Sequence, residues 1–168
     1  MIDDDLLLTA VHDTGVRRLQ HAYADVVNRR AWPELEGLFL DDAVVTIDTR
    51  AGEPLVLTGG AGIGRFIDEA VAGFSFFEFV ILSSAVEFPD GPGAGTGTAR
   101  LYLCEQRQDA RTGRWSTAFG LYHDRYTLAS GRWWFAGRRY HSLARTAADL
   151  DVFPYPSATD GTGSGGPR

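Results

Sequence analysis

Residues 120–140 read GLYHDRYTLASGRWWFAGRRY, a pattern typical of a β-hairpin. Two runs rich in aromatic and branched side chains flank a turn at Gly131, a residue that can adopt the positive φ of a tight turn. Strand alternation places Tyr122, Asp124 and Tyr126 on one face. A carboxylate on an apolar sheet face is costly unless it is paired, protonated or used in chemistry. Asp124 is therefore the first candidate for a functional role.

Composition limits the class of protein. The chain has 168 residues, which suits one domain, and its formal net charge of -6 argues against nonspecific binding to nucleic acid or to an anionic membrane. Cys104 is the only cysteine, which excludes an intramolecular disulfide and a cysteine-based zinc site. The start of the chain lacks the basic residues of a signal peptide, and no apolar run reaches membrane-spanning length. We predict a cytoplasmic protein that binds neither nucleic acid nor membrane.

The order of the predicted elements indicates an α+β fold. After a short leader, residues 1–8, apolar residues at helical spacing predict helices at 9–30, from Pro33 onward and at 62–72. Strands are predicted at 43–49, 55–57, 74–88, 97–108, 115–128 and 132–143. Helices followed by long antiparallel strands are typical of α+β domains, and a curled sheet leaves a cavity for a small ligand. We predict a single domain over residues 1–153 and a flexible tail, rich in Gly, Pro and Ser, over 154–168.

Five short motifs resemble the SnoaL-like branch of the nuclear-transport-factor-2-like superfamily. They are Tyr-Ala-Asp-x-x-x-Arg-Arg-x-Trp at 23–32, Asp-Ala-Val-Val at 42–45, Gly-x-x-x-x-x-Phe at 60–66, Gly-x-Tyr-His-Asp-Arg-Tyr at 120–126 and the Gly-Arg-Trp run at 131–135. The resemblance covers residues 12–143. It implies a cone-shaped barrel of a strongly curved, mostly antiparallel sheet that packs on three N-terminal helices and encloses a pocket. It also implies acid–base chemistry without a cofactor, as in polyketide cyclases, scytalone dehydratase and ketosteroid isomerase.

The chain departs from this family pattern at two positions that carry chemistry. Asn28 stands where dehydratase-like members carry Asp, and Phe79 stands where they carry His. Ser83 occupies a position where Asn is frequent. The resemblance also places Tyr122 and Asp124 toward the pocket, as strand alternation does. Cyclases of this group use an acidic residue on the penultimate strand as acid or base.

Asp124 and Tyr122 are the predicted catalytic residues. An aromatic pocket would raise the pKa of the Asp124 carboxyl and suit it to general acid or base work. The alternative is an ion pair with a neighbouring arginine, such as Arg100 or Arg138. The Tyr122 hydroxyl can donate a hydrogen bond to an oxygen as charge develops, although buried tyrosines often only pack.

Seven further side chains are expected to contact the substrate. Phenols would polarise an oxygen, the amide and hydroxyl groups would hydrogen-bond, and the other aromatic rings would form apolar walls. A second carboxylate, at the pocket mouth or in water at a strand end, would create an acid and base pair with Asp124. These residues are Tyr23, Asn28, Trp32, Phe79, Ser83, Tyr102 and Glu105.

These observations favour a cofactor-independent acid–base enzyme of the lyase or isomerase class. It would cyclise, dehydrate or isomerise a small hydrophobic biosynthetic intermediate, or open its epoxide. None of the four histidines has metal-ligand spacing, so we predict no metal. The alternatives are a noncatalytic binding or structural subunit of the same fold, and a β-like subunit of an oxygenase whose partner carries the iron. The aromatic outer face of the sheet predicts a homodimer.

Overall fold

The computed structural model describes residues 3–146, 151–152 and 156. The helices are α1 (Asp4–Arg29), a 3-10 helix (Trp32–Gly37), α2 (Gly59–Val71) and a second short 3-10 helix (Pro92–Ala94). The strands are β1 (Phe39–Asp48), β2 (Leu55–Thr58), β3 (Phe74–Glu87), β4 (Thr96–Asp109), β5 (Trp115–Ala129), β6 (Arg132–Arg145) and β7 (Asp151–Val152). The predicted α+β order, with three helices ahead of the long strands, is confirmed. Among the described helices, none combines the length and the apolar character that a membrane span requires.

Helix α1 begins earlier than the sequence pattern predicted. The Asp3 carboxylate caps its N-terminus by accepting a hydrogen bond of 3.1 Å from the backbone N–H of Asp5. Asp4 and Asp5 lie in the first turn, where negative charge stabilises the helix dipole. The predicted leader is therefore helical from Asp4 onward.

One mixed sheet carries all the described strands. Its order is β2-β1-β6-β5-β4-β3, and β7 pairs with β6. The pairs are antiparallel except for β1 and β6, which are parallel. Strands β2 and β3 lie at opposite edges, so the curved sheet stays open and does not close into a complete barrel. The predicted hairpin of β5 and β6 turns at Ser130 and Gly131, which both have positive φ, of 51° and 77°.

A β-bulge in β6 reverses the inward and outward alternation of this strand. Phe135 pairs with Tyr126 and Gly137 pairs with Arg125, so Ala136 is an extra residue. Alternation from the buried Phe135 alone would place residue 138 on the outer face. The bulge instead brings Arg138 opposite Asp124, on the inner face that the helices cover.

A bulge in β3 has a matching effect. Ile81 pairs with Leu103 and Ser83 pairs with Tyr102, so Leu82 is the extra residue. Phe79 and Ile81 remain on the inner face. Ser83 consequently turns outward and is exposed.

The hydrophobic core lies between the inner face of the sheet and the helices. Helix α1 buries one apolar side against it, formed by Val16, Leu19, Tyr23, Val26 and Val27. Helix α2 approaches the first 3-10 helix so closely that a Cβ on Gly60 would lie 2.4 Å from the backbone oxygen of Leu35. Helices α1 and α2 together form the wall that faces the concave side of the sheet.

The predicted tail over 154–168 lies almost wholly outside the described residues. Pro156 is described and is buried. The domain boundary at residue 153 stays a prediction.

Candidate functional site

A cavity of about 310 Å³ lies between the concave face of the sheet, α1 and α2. Most of its wall is apolar and aromatic. Its polar lining groups are three phenols, three guanidinium groups and one carboxylate, together with Thr49. The cavity has two ends of different character. We call them the closed end, where Arg138 lines the cavity and Asp124 and Tyr126 lie behind it, and the open end, formed by Glu105, Arg107, Tyr140 and Arg145.

The closed end is a buried ion pair. Arg138 Nε donates to Asp124 Oδ1 over 2.7 Å, and Arg138 Nη2 donates to Asp124 Oδ2 over 2.8 Å. The side chains are 1% and 0% exposed. Two parallel hydrogen bonds between a guanidinium and a carboxylate give strength and a fixed geometry. The ion-pair alternative for Asp124 is therefore the arrangement found, and its partner is Arg138.

Further hydrogen bonds complete the surroundings of Asp124. The Tyr126 hydroxyl donates to Asp124 Oδ2 over 2.7 Å, and Gln20 Nε2 donates to the Tyr126 hydroxyl over 2.9 Å. Both carboxylate oxygens thus accept hydrogen bonds from buried donors. Asp124 is absent from the cavity lining, whereas Arg138 is part of it. The arrangement suits Asp124 to holding Arg138 in place.

Aromatic rings surround the guanidinium of Arg138. Its Cζ atom lies 3.9 Å from the ring centroid of Tyr122, 4.3 Å from that of Tyr23 and 4.3 Å from that of Phe135. Burial alone would lower the pKa of Arg138, but the Asp124 carboxylate raises it above its ordinary value. Its Nη1 atom is buried and makes no hydrogen bond of suitable geometry with any described residue. A permanently charged donor group thus lines an aromatic cavity with one nitrogen unsatisfied.

Two phenols lie beside this guanidinium. The hydroxyl oxygens of Tyr23 and Tyr122 are 3.4 Å apart, so either can donate to the other. Burial raises the pKa of both groups, and the nearby Arg138 charge only partly offsets this effect. Both phenols are therefore protonated at neutral pH and can act as hydrogen-bond donors.

The open end holds the only carboxylate of the described cavity lining. Arg107 Nη2 donates to Glu105 Oε2, and Oε1 accepts no hydrogen bond from a described residue. The two side chains are 18% (Glu105) and 23% (Arg107) exposed, so this end is partly open to solvent. Burial and the Glu105 charge raise the pKa of Tyr140 to about 12, while Arg107 and Arg145 lower it.

Four of the sequence-predicted residues meet in this cavity. Tyr23, Phe79, Tyr122 and Glu105 all line it. The two tyrosines and Phe79 are almost fully buried. Glu105 points inward because it shares its face of β4 with Leu101 and Leu103, as the alternation predicted.

Two other predicted residues fix the framework around the cavity. Asn28 Nδ2 donates to the backbone oxygen of Phe79 over 2.9 Å, and Phe79 N–H donates to Asn28 Oδ1 over 2.7 Å. This pair of bonds joins the end of α1 to β3. The Trp32 indole N–H donates to Asp68 Oδ1 over 2.9 Å and links the first 3-10 helix to α2. Neither Asn28 nor Trp32 lines the cavity.

The last two predicted residues lie on the other side of the sheet. Ser83 and Tyr102 are register partners on the outer face, opposite the cavity. The bulge at Leu82 turns Ser83 outward, and Tyr102 alternates with the inward-facing Leu101 and Leu103. A substrate in this cavity would not reach either side chain, which corrects their predicted place in the site.

Five cavity-lining polar residues were not predicted as site residues: Thr49, Arg107, Arg138, Tyr140 and Arg145. For Arg138 the sequence predicts only a possible ion pair with Asp124. The signal that could have placed it is Gly137, because a glycine inside a strand often marks a bulge. Arg107 follows Glu105 by two residues and shares its inward face. Within residues 3–146, no three His, Cys, Asp or Glu side chains come together as a possible metal site.

Comparison with known proteins identifies the family. The family described as the SnoaL-like domain matches residues 10–139. This chain belongs to the SnoaL-like family. A search of curated proteins gives no significant match.

Solved structures with a similar fold match this chain along most of their length. A scytalone dehydratase candidate from Novosphingobium aromaticivorans superposes with a TM-score of 0.71 at 15% identity, covering 86% of this chain and 93% of that one. Type 3 LinA hexachlorocyclohexane dehydrochlorinase from Novosphingobium barchaimii has a TM-score of 0.71 at 16% identity, covering 88% and 99%. At these identities the similarity establishes the SnoaL-like fold and not the reaction.

Proposed function

We propose that this SnoaL-like protein is a cofactor-independent enzyme that removes a proton from carbon in a small, largely apolar substrate with an oxygen function. The observation that carries the proposal is the buried Arg138, whose Nη1 makes no hydrogen bond of suitable geometry with any described residue. It lines the same cavity as two phenols and one carboxylate. A donor group and a base in one largely apolar cavity are the parts that such a reaction needs.

Arg138, Tyr23 and Tyr122 would bind the oxygen. As a proton leaves the adjacent carbon, negative charge develops on this oxygen. Donors that are already oriented in a site of low dielectric constant stabilise such charge without reorganisation. The bidentate contact with Asp124 holds the guanidinium, and the raised pKa values of both phenols keep their protons in place.

Glu105 would accept the proton. It is the only carboxylate among the described lining residues, and one of its oxygens has no hydrogen-bond donor among them. The C–H electrons would pass to the substrate oxygen as the proton moves to Glu105. Departure of a leaving group from the next carbon would complete an elimination, and return of the proton to another carbon would complete an isomerisation. Dehydration, isomerisation and cyclisation of a biosynthetic intermediate all share this first step.

Asp124 acts in this proposal as a positioning residue for Arg138. Its predicted role as acid or base would require an oxygen that reaches the substrate. Arg138 and Tyr126 donate to both of its oxygens, and the carboxylate is fully buried behind the guanidinium. In this proposal Arg138 contacts the substrate and Asp124 does not.

A noncatalytic binding protein is the second candidate. It is favoured by the pair at positions 28 and 79, where the resemblance would place Asp and His. Asn28 and Phe79 form a framework contact and carry no titrating group. The two candidates differ in whether Glu105 is needed for chemistry or is dispensable.

Deuterium exchange in D2O tests the proposal without knowledge of the natural substrate. The purified protein is incubated with a panel of cyclic and aryl ketones, and NMR follows loss of the C–H signal beside the carbonyl. We expect exchange in at least one ketone that binds, and a loss of about 100-fold or more in Glu105→Gln. The matched control is Glu78→Gln, an exposed glutamate on the neighbouring strand β3, which should exchange at the wild-type rate.

The contrary result would be binding without exchange. If ketones bind but wild-type protein exchanges none of them, or if Glu105→Gln exchanges as fast as wild type, the binding protein becomes the better account. Thermal unfolding of each variant shows whether a loss of exchange reflects a loss of folded protein.

The homodimer remains a separate proposal. Support comes from exposed apolar side chains on the sheet, such as Val44, Leu82 and Phe119, which are 45%, 54% and 37% exposed. Sedimentation at micromolar concentration should give twice the mass of the chain. A monomer under these conditions would end this proposal and leave the cavity chemistry unaffected.

A further inference from the structure

The charges at the open end of the cavity do not cancel. Arg107 pairs with Glu105, and Arg145 Nη2 donates to the backbone oxygen of Thr49, which is neutral. No described carboxylate forms an ion pair with Arg145. Among the described side chains, two guanidinium groups and one carboxylate thus leave one excess positive charge at this end.

The three charged groups line the open end of the cavity together with one phenol. Tyr140 lines the cavity, and its ring centroid lies 5.4 Å from that of Tyr122. Arg107 and Arg145 are both close enough to lower the pKa of Tyr140, and Glu105 is close enough to raise it. The positive charge therefore lies at the end of the cavity that holds Tyr140.

Unmet donors accompany the excess charge. The Nε atom of Arg107 is buried and has no hydrogen-bond partner among the described residues. A buried polar atom without a partner costs free energy, so it marks a place where a ligand, water or ion can supply the missing contact. The cavity therefore offers cationic donors at both of its ends, at Arg138 and at Arg107.

This local charge opposes the charge of the whole chain. The formal net charge is -6, which would repel a free anion in solution. The arginines that line the cavity attract an anion, whereas the negatively charged surface of the protein repels it. Apolar walls add the requirement that most of the ligand be hydrophobic.

We propose that the substrate is a small aromatic or alicyclic carboxylic acid, whose carboxylate binds Arg145 and Arg107 at the open end while its reacting oxygen function meets Arg138. The inference rests on the proposed function for the role of Arg138 but depends on different residues for the carboxylate. A guanidinium matches a carboxylate through two parallel hydrogen bonds. A cavity of about 310 Å³ accommodates a ligand with one or two rings.

The carboxylate would be bound equally in the ground state and in the transition state. Its contact with Arg145 should therefore lower KM more than it raises kcat. Glu105 lies in the same place and repels a carboxylate. The variant Glu105→Gln should consequently bind the acid more tightly while it loses the chemistry.

Matched ligands test the inference by calorimetric titration. The probes are 2-naphthoate and trans-cinnamate, each beside its primary amide, which keeps the shape and removes the charge. We expect wild-type protein to bind at least one acid about tenfold more tightly than its amide, and Arg145→Gln to abolish most of this preference. The control Arg65→Gln removes an exposed arginine on α2 that does not line the cavity, and should keep the full preference.

The inference requires that wild-type protein bind the acid at least about fivefold more tightly than its amide. A smaller affinity ratio corresponds to less free energy than one charged hydrogen bond contributes. A smaller ratio in wild type, no binding of either acid, or an unchanged ratio in Arg145→Gln would overturn the inference. If Arg145→Gln does not fold, Arg145→Lys and the salt dependence of the wild-type ratio replace it. The inference would then be overturned if the preference for the acid over its amide did not change with salt and Arg145→Lys kept this preference in full.

The two proposals fail in different measurements. Acid preference without any deuterium exchange would overturn the enzyme and keep the anion site. Exchange that depends on Glu105, with neutral ketones bound as tightly as acids, would keep the enzyme and overturn the anion site.

Discussion

The two ends of the cavity show how burial sets the role of a carboxylate. At the closed end, Asp124 accepts hydrogen bonds from Arg138 and Tyr126 and is cut off from solvent. At the open end, Glu105 keeps one oxygen without a donor from the described residues and is partly exposed. A fully satisfied carboxylate stabilises its partner, whereas a carboxylate with a free oxygen can exchange protons. We therefore expect stability to depend on the closed end and chemistry to depend on the open end.

The largest expected effect is on stability, from Asp124→Asn. It removes the negative charge and leaves Arg138 buried without a counter-charge, which should lower the free energy of unfolding by about 3–5 kcal/mol. Urea unfolding followed by circular dichroism measures this loss. The matched control is Glu87→Gln, which breaks the exposed ion pair with Arg100 and should cost less than about 1 kcal/mol. Equal losses in the two variants would show that the buried pair has no special structural role.

The pH dependence of stability tests the role of His141, which lies on the outer face of the sheet. Burial and His123 lower the pKa of the buried His141 to about 4. The unfolded chain then binds more protons than the native chain at His141 between pH 6.5 and pH 4, so stability should fall as pH falls through this range, by roughly 2–3 kcal/mol. The variant His141→Gln should flatten the curve of unfolding free energy against pH, and the exposed His21→Gln should not. A curve unchanged in His141→Gln would show that protonation of His141 does not cause the loss of stability in acid.

A smaller loss is expected from Tyr126→Phe. This variant removes the donor to Asp124 Oδ2 and the acceptor of Gln20 Nε2, while it keeps the ring and the ion pair. Unfolding free energy should fall by about 1–3 kcal/mol. A loss as large as that of Asp124→Asn would mean that the phenol, and not the arginine, dominates the closed end.

The smallest stability effect is expected from Glu105→Gln. Its ion pair with Arg107 is partly exposed, so the change in unfolding free energy should stay within about 1 kcal/mol. A loss as large as that of Asp124→Asn, seen in the same urea titration, would make Glu105 a structural residue and remove the contrast between the two ends.

Most of the fold was predictable because it depends on patterns that repeat along the chain. Helical spacing and strand alternation located the elements, and the β5–β6 turn followed from Gly131. The early start of α1 depends on one capping contact of Asp3, which periodicity does not register. The parallel pairing of β1 with β6 is a contact between distant parts of the chain, so local patterns do not specify it.

The candidate site was less predictable because single extra residues decide it. Alternation alone correctly directed Tyr122 and Glu105 inward. The bulge at Ala136 directed Arg138 inward, and the bulge at Leu82 directed Ser83 outward, against simple alternation. The chemical character of Asp124 depends on which arginine reaches it, and this followed only from the strand register.

Deuterium exchange by Glu105→Gln and Asp124→Asn, measured side by side, tests the difference between the two ends most directly. The ketone is one that the wild-type protein exchanges, and each rate is divided by the folded fraction at the assay temperature. We predict a loss of about 100-fold or more in Glu105→Gln and of less than about tenfold in Asp124→Asn, because asparagine can still accept a hydrogen bond from Arg138. Full exchange in Glu105→Gln, with exchange lost in folded Asp124→Asn, would contradict the account and restore Asp124 as the acid or base.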